Sequence, residues 1–189
     1  MKNILKDFLL RSIKDSDAVL ELCSLSSPSY KVSKNQYVLK KYQKENCLYF
    51  ISSGCIALMV QTEKKDNVLG FGYQNSIITS FLSFASGLPS DLSLLAISDV
   101  ELIKIPKKGL MHLVNNNSTI ANWYNKLIKK TLIGHLNREI EMLTLSSKER
   151  YVAFLNRSGH LVNSIPLKYI SSYLNMTPET LSRVRKTIS

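Results

Sequence analysis

Cysteine is scarce in this 189-residue chain: Cys23, Cys47 and Cys55 are odd in number, widely spaced and contain no C-x-x-C pair. That argues against a disulfide framework or a zinc ribbon and fits a reducing cytoplasm. Long apolar runs are also missing. No stretch approaches the roughly 20 residues that a membrane-spanning helix needs. The opening MKNILKDFLLRSIKDSD is interrupted by Lys6, Asp7 and Arg11, so it does not read as a signal peptide. No G-x-S-x-G, H-E-x-x-H or Walker sequence occurs, and Gly70-Phe71-Gly72 lacks the third glycine of a dinucleotide loop, where Asn75 stands. His112, His135 and His160 lie far apart in sequence, and the cysteines lack the clustering of an iron–sulfur sensor. Cys47 and Cys55 could adjoin across a hairpin, where they read as two buried small hydrophobes. Neither an enzyme, a metal nor a cofactor is expected.

Acid is in the minority. Fourteen Asp and Glu stand against 25 Lys and Arg, a net charge of +11, which points to a polyanionic partner, either nucleic acid or an acidic membrane surface. The excess is uneven, +7 over residues 126–189 and +4 over residues 1–125. Between Asp66 and Ile103 there is no Lys, Arg or His at all. The hydrophobic share of 44% is ordinary for a globular chain, and the length suits one or two domains.

Ile4, Leu5, Phe8, Leu9 and Ile13 recur at helical spacing, and a second helix is expected over Asp17–Leu25, capped by Ser16 or Asp17. The pattern then changes to short runs rich in Val, Ile, Leu, Tyr and Phe: QYVLKKY, CLYFISSGCIALMVQT, NVLGFGY, DLSLLAI and DVELIKI. They are bounded by turn formers such as Ser52-Ser53-Gly54, Asp66-Asn67, Ser86-Gly87 and Ser98-Asp99. Short strands at this spacing predict an all-β sandwich or jelly roll over roughly residues 32–106. Pro106 closes the last strand, and no clear strand pattern follows.

Residues 118–143 read as one long helix with Ser118 or Thr119 as its cap. Ile120, Trp123 and Leu127 form one stripe. Ile133, Leu136, Ile140 and Leu143 form a second, stepping by three and four as a seam for a partner helix does. A helix of this length spans roughly 39 Å, more than a small barrel needs, so the second stripe is expected to be a dimer contact. Ser146-Ser147-Lys148-Glu149 is a capping-box sequence opening another helix through about Asn156, with Gly159 as its stop.

The ending, IPLKYISSYLNMTPETLSRVRK over 165–186, reads as a helix-turn-helix. Pro166 suits a first helical position, Ile170 and Leu174 share a face, and Ser171 is small where two helices would cross. Asn175 tolerates a left-handed turn, Thr177 is an N-cap and Pro178 opens the second helix, with Leu181 and Val184 facing back. Glu179, Thr180, Ser182, Arg183 and Lys186 are left pointing outward. Arginine can donate two hydrogen bonds to guanine and glutamate can accept from cytosine N4, so this set suits major-groove reading. Thr177, Lys168 and Arg185 complete the expected DNA-binding set.

With these pieces in order, the chain resembles the Crp/Fnr family of bacterial transcription regulators. LYFISSGCIALMV, 48–60, is similar to the family's strand–turn–strand around a recurring glycine, here Gly54. MTPETLSRVRK is similar to its recognition helix, with Glu179 and Arg183 matching the glutamate and arginine of the base-reading face. Pro178 stands where the prototype has an arginine that meets DNA.

The resemblance covers about residues 15–188 and implies an α+β architecture. Residues 1–117 would form a cyclic-nucleotide-binding-like double-stranded β-helix (jelly roll) with its N-terminal helices. Residues 118–145 would form a dimerisation helix and linker, and residues 146–189 a helix-turn-helix domain. It implies double-stranded DNA as partner, a homodimer with the seam at Ile133, Leu136, Ile140 and Leu143, contact with RNA polymerase, no membrane, and a cytoplasmic location. The family's cyclic-nucleotide sensors hold the ribose with a glutamate and the cyclic phosphate with an arginine. Ser80 and Ser90 stand at those positions, in the segment that lacks any cation. A phosphate buried without a cation loses its charge-assisted hydrogen bonds. The expectation is therefore a degenerate pocket not controlled by cyclic AMP, with the effector unknown. The sequence stops three residues after Lys186, where family members continue into a wing, so the wing is expected to be absent or minimal. The rival reading is a small-ligand receptor or protein-interaction module whose terminal helices bind DNA only non-specifically.

Overall fold

The computed structural model describes residues 2–62 and 66–188. Two helices open the chain, α1 (Lys2–Leu10) and α2 (Ser16–Leu25). The cap of α2 is Asp15, whose Oδ1 accepts from the amides of Asp17 and Ala18, so the helix begins one residue earlier than expected and Ser16 is its first residue rather than its cap.

Eight strands follow: β1 (Tyr30–Val32), β2 (Tyr37–Leu39), β3 (Cys47–Ser53), β4 (Cys55–Gln61), β5 (Asp66–Tyr73), β6 (Ser76–Ile78), β7 (Leu92–Ala96) and β8 (Val100–Pro106). They form two antiparallel four-stranded sheets, in the orders β1-β8-β3-β6 and β2-β7-β4-β5, the interleaved arrangement of a jelly roll. Asp66 and Asn67, expected in a turn, pair with Gln61 and Val60 as the start of β5. A short helix α3 (Phe81–Ser86) sits between β6 and β7.

β3 and β4 do not form a hairpin. They lie in different sheets, and the chain crosses between them at Gly54, whose φ is +84°. A Cβ there would stand 2.1 Å from the Asp99 carbonyl oxygen, so only glycine makes the crossing. Cys47 and Cys55 therefore do not adjoin as a cross-strand pair: Cys47 faces Pro106 and Cys55 faces Tyr73. Cys55 is buried and Cys47 half-buried.

Both sheets are covered on both faces, which is why their strands read as continuous apolar runs rather than alternating ones. Tyr49, Ile51, Ile56, Leu58, Leu94 and Ala96 fill the space between the sheets. On the outer face of the first sheet, Leu48, Phe50, Ile103 and Ile105 pack with Leu5, Leu9, Leu22, Leu110 and Trp123. These last residues come from α1, α2, α4 (Lys107–Asn116) and α5 (Ser118–Thr144). The cap of α5 is Asn117, whose Oδ1 accepts from the amides of Thr119 and Ile120, so neither Ser118 nor Thr119 caps it.

Outside the second sheet lie α6 (Ser147–Ser158), a 3-10 turn at Gly159–Leu161, α7 (Leu167–Tyr173) and α8 (Pro178–Lys186). The capping box is formed: Ser146 Oγ accepts from the Glu149 amide, and the Glu149 carboxylate accepts from the Ser146 amide. Hydrogen bonding to the carboxylate from the Ser146 side chain, and after it from the Ser146 amide, holds the Glu149 carboxyl below its ordinary pKa. Cys55, Ala57 and Met59 of β4 share one buried cluster with Phe154, Ile170, Leu174 and Leu181. No helix among the described residues is long and apolar enough to cross a membrane.

Candidate nucleic-acid interface and barrel pocket

The junction between α7 and α8 is closed by backbone hydrogen bonds. Asn175 takes the left-handed conformation, φ 51°. Its amide donates to Ser172 O at 3.1 Å, and the Met176 amide donates to Ser171 O at 3.0 Å. This is the paired closure of a Schellman motif, and it satisfies carbonyls that the end of α7 would otherwise leave open. Thr177 then caps α8, its Oγ1 accepting from the Thr180 amide at 3.2 Å, and Pro178 occupies the first turn, where no donor is lost. Pro166 is the flanking cap of α7 rather than its first residue, which is Leu167.

The two helices meet through apolar side chains. Ile170, Leu174 and Leu181 are fully buried, Ser171 is buried between them, and Val184 packs on the same cluster. Glu179, Ser182, Arg183 and Lys186 remain exposed on the opposite face of α8. Their spacing of three, four and seven residues places them on one stripe. Thr177 is exposed at the helix entrance. Thr180 is half-buried, its Oγ1 accepting from Thr177 Oγ1 and Arg183 Nη2. Arg185 is half-buried. Lys168 is exposed on α7, its ammonium 4.9 Å from the centre of the Tyr169 ring. Hydrogen bonding from the Thr177 side chain, with a smaller contribution from Arg183, holds the Glu179 carboxyl below its ordinary pKa. The stripe thus presents one ionised carboxylate at the head of a helix whose last turn carries three cations.

The helical unit is fixed to the barrel by polar contacts for which the sequence carried no pattern. Ser172 Oγ accepts from the Val68 amide at 3.0 Å and donates to Asp66 O at 3.2 Å. Arg138 of α5 donates to Val68 O and Tyr173 O, and its guanidinium lies 4.8 Å from the centre of the Tyr173 ring. Arg157 of α6 forms a two-pronged ion pair with Glu141, at 2.6 and 3.2 Å, and donates to the Tyr173 hydroxyl at 3.2 Å. The Glu141 carboxylate raises the Arg157 pKa.

On α5 the two stripes separate. Ile120 and Trp123 are buried against the barrel, while Ile133, Leu136, Ile140 and Leu143 are 57%, 48%, 58% and 81% exposed.

On either side of α3, in the connection from β6 to β7, Ser80 and Ser90 come together. Both are buried, and their hydroxyl oxygens lie 2.8 Å apart. Ser90 Oγ also meets the backbone of Leu92. Lys107, in α4, has its ammonium committed to the Phe84 carbonyl oxygen. The nearby buried ionisable group is acidic: the Glu45 amide donates to Ser83 Oγ on α3, and Glu45 Oε1 accepts from the Cys47 amide. Burial raises the pKa of Glu45. Gly70-Phe71-Gly72 lies in the extended strand β5 rather than in a loop. No group of three or more His, Cys, Asp or Glu that could hold a metal occurs among the described residues.

Residues 30–117 match the family model of the cyclic nucleotide-binding domain. No curated protein sequence matches the chain. Among solved structures, the chain is similar to FixK2 from Bradyrhizobium japonicum, with a TM-score of 0.77 at 15% identity, covering 85% of this chain and 83% of that one. It is also similar to CLP, described as a c-di-GMP-responsive global regulator of Xanthomonas campestris, with a TM-score of 0.67 at 16% identity over 92% and 91% of the two chains. A CooA variant from Carboxydothermus hydrogenoformans gives 0.69 at 15% identity over 95% and 81%. At these identities the likeness shows a shared fold, and it extends beyond the barrel into the C-terminal helices.

Proposed function

We propose that the chain is a DNA-binding transcription regulator of the Crp/Fnr type, reading a roughly palindromic site as a homodimer. One observation carries this reading. The closed turn at Asn175 and the capped start at Thr177-Pro178 hold α8 with Leu181 inward and Glu179, Ser182, Arg183 and Lys186 outward. That is the arrangement a helix needs in order to present side chains to base edges while its partner helix supports it. Arg183 is the base-reading donor and Glu179 the acceptor, while Lys168, Arg185 and Lys186 face phosphates and Thr177, Thr180 and Ser182 line the approach. The exposed seam of α5 pairs two copies, and each copy supplies one half-site. RNA polymerase is the further partner that such a regulator would meet.

The barrel does not serve as a cyclic-nucleotide receptor through a glutamate and arginine. Ser80 and Ser90 bond each other, and the buried acid Glu45 lies close by. An anionic phosphate buried there would lack the charge-assisted partner that its desolvation requires.

Selecting bound duplexes from a random pool tests the proposal. The expected outcome is an enriched two-fold symmetric sequence with half-sites about one helical turn apart, roughly 34 Å. A pool that emerges unenriched, with binding strength the same for every duplex, would overturn it in favour of a receptor or interaction module with a vestigial DNA-binding end.

A further inference from the structure

Residues 30–44 contain Lys31, Lys34, Lys40, Lys41 and Lys44 and no Asp or Glu, so this one segment accounts for the basic excess of residues 1–125. It covers β1, β2 and the turn that follows β2. The charge is not equally free along it. Lys31 stands opposite Glu101 of β8, and the Lys34 amide donates to Asp99 Oδ1. Lys40 and Lys44 are exposed and form no ion pair among the described residues. Lys41 Nζ donates to Gln61 O at 3.2 Å and lies 4.7 Å from the centre of the Tyr42 ring.

Tyr42 takes the left-handed conformation, φ +69°. An aromatic residue is strained there, and such strain gathers at sites of function. Among the described residues the other non-glycine residues with positive φ are Asn35, Asn75 and Asn175, the residue type that tolerates this region best. The Tyr42 amide donates to Ser90 O at 2.6 Å, and the Ser90 amide donates to Gln43 O at 2.9 Å. Those bonds use only backbone atoms, so they account for the turn and not for the ring. The ring gains little from the fold, since Tyr42 is 68% exposed.

The contact with Ser90 sets this turn beside the segment that follows α3, where Lys44 also bridges to Pro89. Leu82 and Leu88 lie there, 69% and 65% exposed. Ser86 Oγ joins them, donating to Leu82 O at 2.7 Å and accepting from the Leu88 amide at 3.2 Å. Three large apolar side chains thus stand in water next to Lys40 and Lys44. Within residues 40–45 and 82–91 the acids are Glu45, which is buried, and Asp91. A nucleic-acid backbone would satisfy the lysines and give the leucines nothing to enter. An anionic bilayer offers both an apolar layer and negative charge above it. We infer that this face docks on an anionic lipid surface, with Tyr42, Leu82 and Leu88 entering the headgroup layer and Lys40 and Lys44 meeting its charge. The resemblance to Crp/Fnr regulators implies no membrane partner, and this surface is a departure from it. None of its residues belongs to α5, α6, α7 or α8, so the inference stands if the DNA reading fails.

Sedimentation of the full chain with lipid vesicles tests it. The chain is expected to pellet with phosphatidylcholine vesicles carrying about one-third phosphatidylserine and to stay in solution with phosphatidylcholine alone. Tyr42→Asn keeps a residue suited to the left-handed turn and removes the ring. Combined with Leu82→Ser and Leu88→Ser, it should lower the partition coefficient at least about tenfold. Lys40→Gln with Lys44→Gln should lower it by a similar factor of about ten or more. All five positions are exposed, so the far-UV spectrum should not change. Tyr42→Trp reads insertion directly: Trp123 is buried, so a blue shift on adding the anionic vesicles belongs to position 42. The inference is overturned if the chain ignores both kinds of vesicle or binds them equally. It is also overturned if vesicle binding survives the triple substitution and is lost in Arg183→Gln with Lys186→Gln, which would make it a general attraction to α8. A triple variant that changes duplex binding or self-association and leaves vesicle binding unmoved would likewise assign the face to nucleic acid or to a second copy of the chain.

Discussion

Replacing Leu136 and Ile140 together by lysine should separate the proposed dimer without unfolding the protomer. The magnitude follows from the exposure of the seam. Ile133, Leu136, Ile140 and Leu143 leave between 48% and 81% of their surface in water. Fully burying a Leu or Ile side chain is worth about 1.5–3 kcal/mol. Covering the remaining half or more then contributes roughly 1–2 kcal/mol per side chain, on the order of 8–16 kcal/mol for the eight side chains of two helices. Association itself costs about 4–15 kcal/mol in lost freedom, so the wild-type seam has little surplus to give away. The double substitution removes about half of the gross gain and brings four ammonium groups into an apolar seam. A loss of about 4 kcal/mol or more raises the dissociation constant at least a thousandfold or so. Both positions are exposed in the protomer, so its circular dichroism and melting should change little. Sedimentation over a range of concentrations, followed by gel shift on the selected duplex, reads the outcome. A dimer that persists with its original dissociation constant would refute the seam as the interface. A monomer with full-strength, sequence-specific binding would remove dimerisation from the mechanism.

Arg183→Ala should weaken binding to the selected site by about 1–3 kcal/mol and blur preference at one base pair per half-site. Uniform weakening across all sequences would make Arg183 a phosphate contact instead. Calorimetry with cyclic AMP or cyclic GMP at millimolar concentration should give no saturable heat, because Ser80 and Ser90 supply no cation; a micromolar dissociation constant would contradict this account of the barrel. Glu45 yields a prediction about pH. Burial raises its pKa in the folded state, so the folded chain holds the proton where the unfolded chain releases it. Stability should therefore fall as the pH rises from the ordinary glutamate value through the raised one, and then level off. Glu45→Gln should flatten that slope in denaturant midpoints measured from acid to neutral pH, and parallel profiles for the two proteins would show that Glu45 is not its source.

What could be read from the sequence was what local chemistry determines. The capping box at Ser146 and Glu149, the left-handed Asn175 and the cap at Thr177 each depend on residues within a few positions, and each stands where its spacing puts it. The long strands were visible because helices cover both sheets, so that residues 48–51 of β3 and 55–59 of β4 are buried without a break and apolar throughout. β1 and β6, three residues each, were too short to impose a pattern, and α3 is only six residues long. Helix α4 was hidden by Gly109, a poor helix former. There the missing Cβ admits Leu25, whose Cδ2 would lie 2.8 Å from it, so tertiary packing outweighs propensity. A strand–turn–strand such as β3–Gly54–β4 reads like a hairpin until the position of the Asp99 carbonyl is known. The Arg138, Glu141, Arg157 and Tyr173 contacts span 16 to 35 residues and carry no period at all.

Those long-range contacts decide where the outward face of α8 points. A helix of nine residues is not stable alone in water, since nucleation consumes most of what so short a helix can gain. Helix α8 persists because Leu181 is fully buried and Val184 packs beside it, in a cluster that also contains Cys55, Ala57 and Met59 of the barrel. Helix α7 is bound to the edge of β5 through Ser172 and through Arg138, which reaches it from the same long helix that carries the exposed seam. The two proposed binding surfaces, the seam and the stripe of Glu179 and Arg183, are thus set by one packed body rather than joined by a free linker. If two copies pair along α5, the separation and tilt of their α8 helices follow from the contacts of Arg138, Tyr173 and Ser172 with β5. The spacing of half-sites would then be a property of the barrel's outer face as much as of the helices that meet DNA.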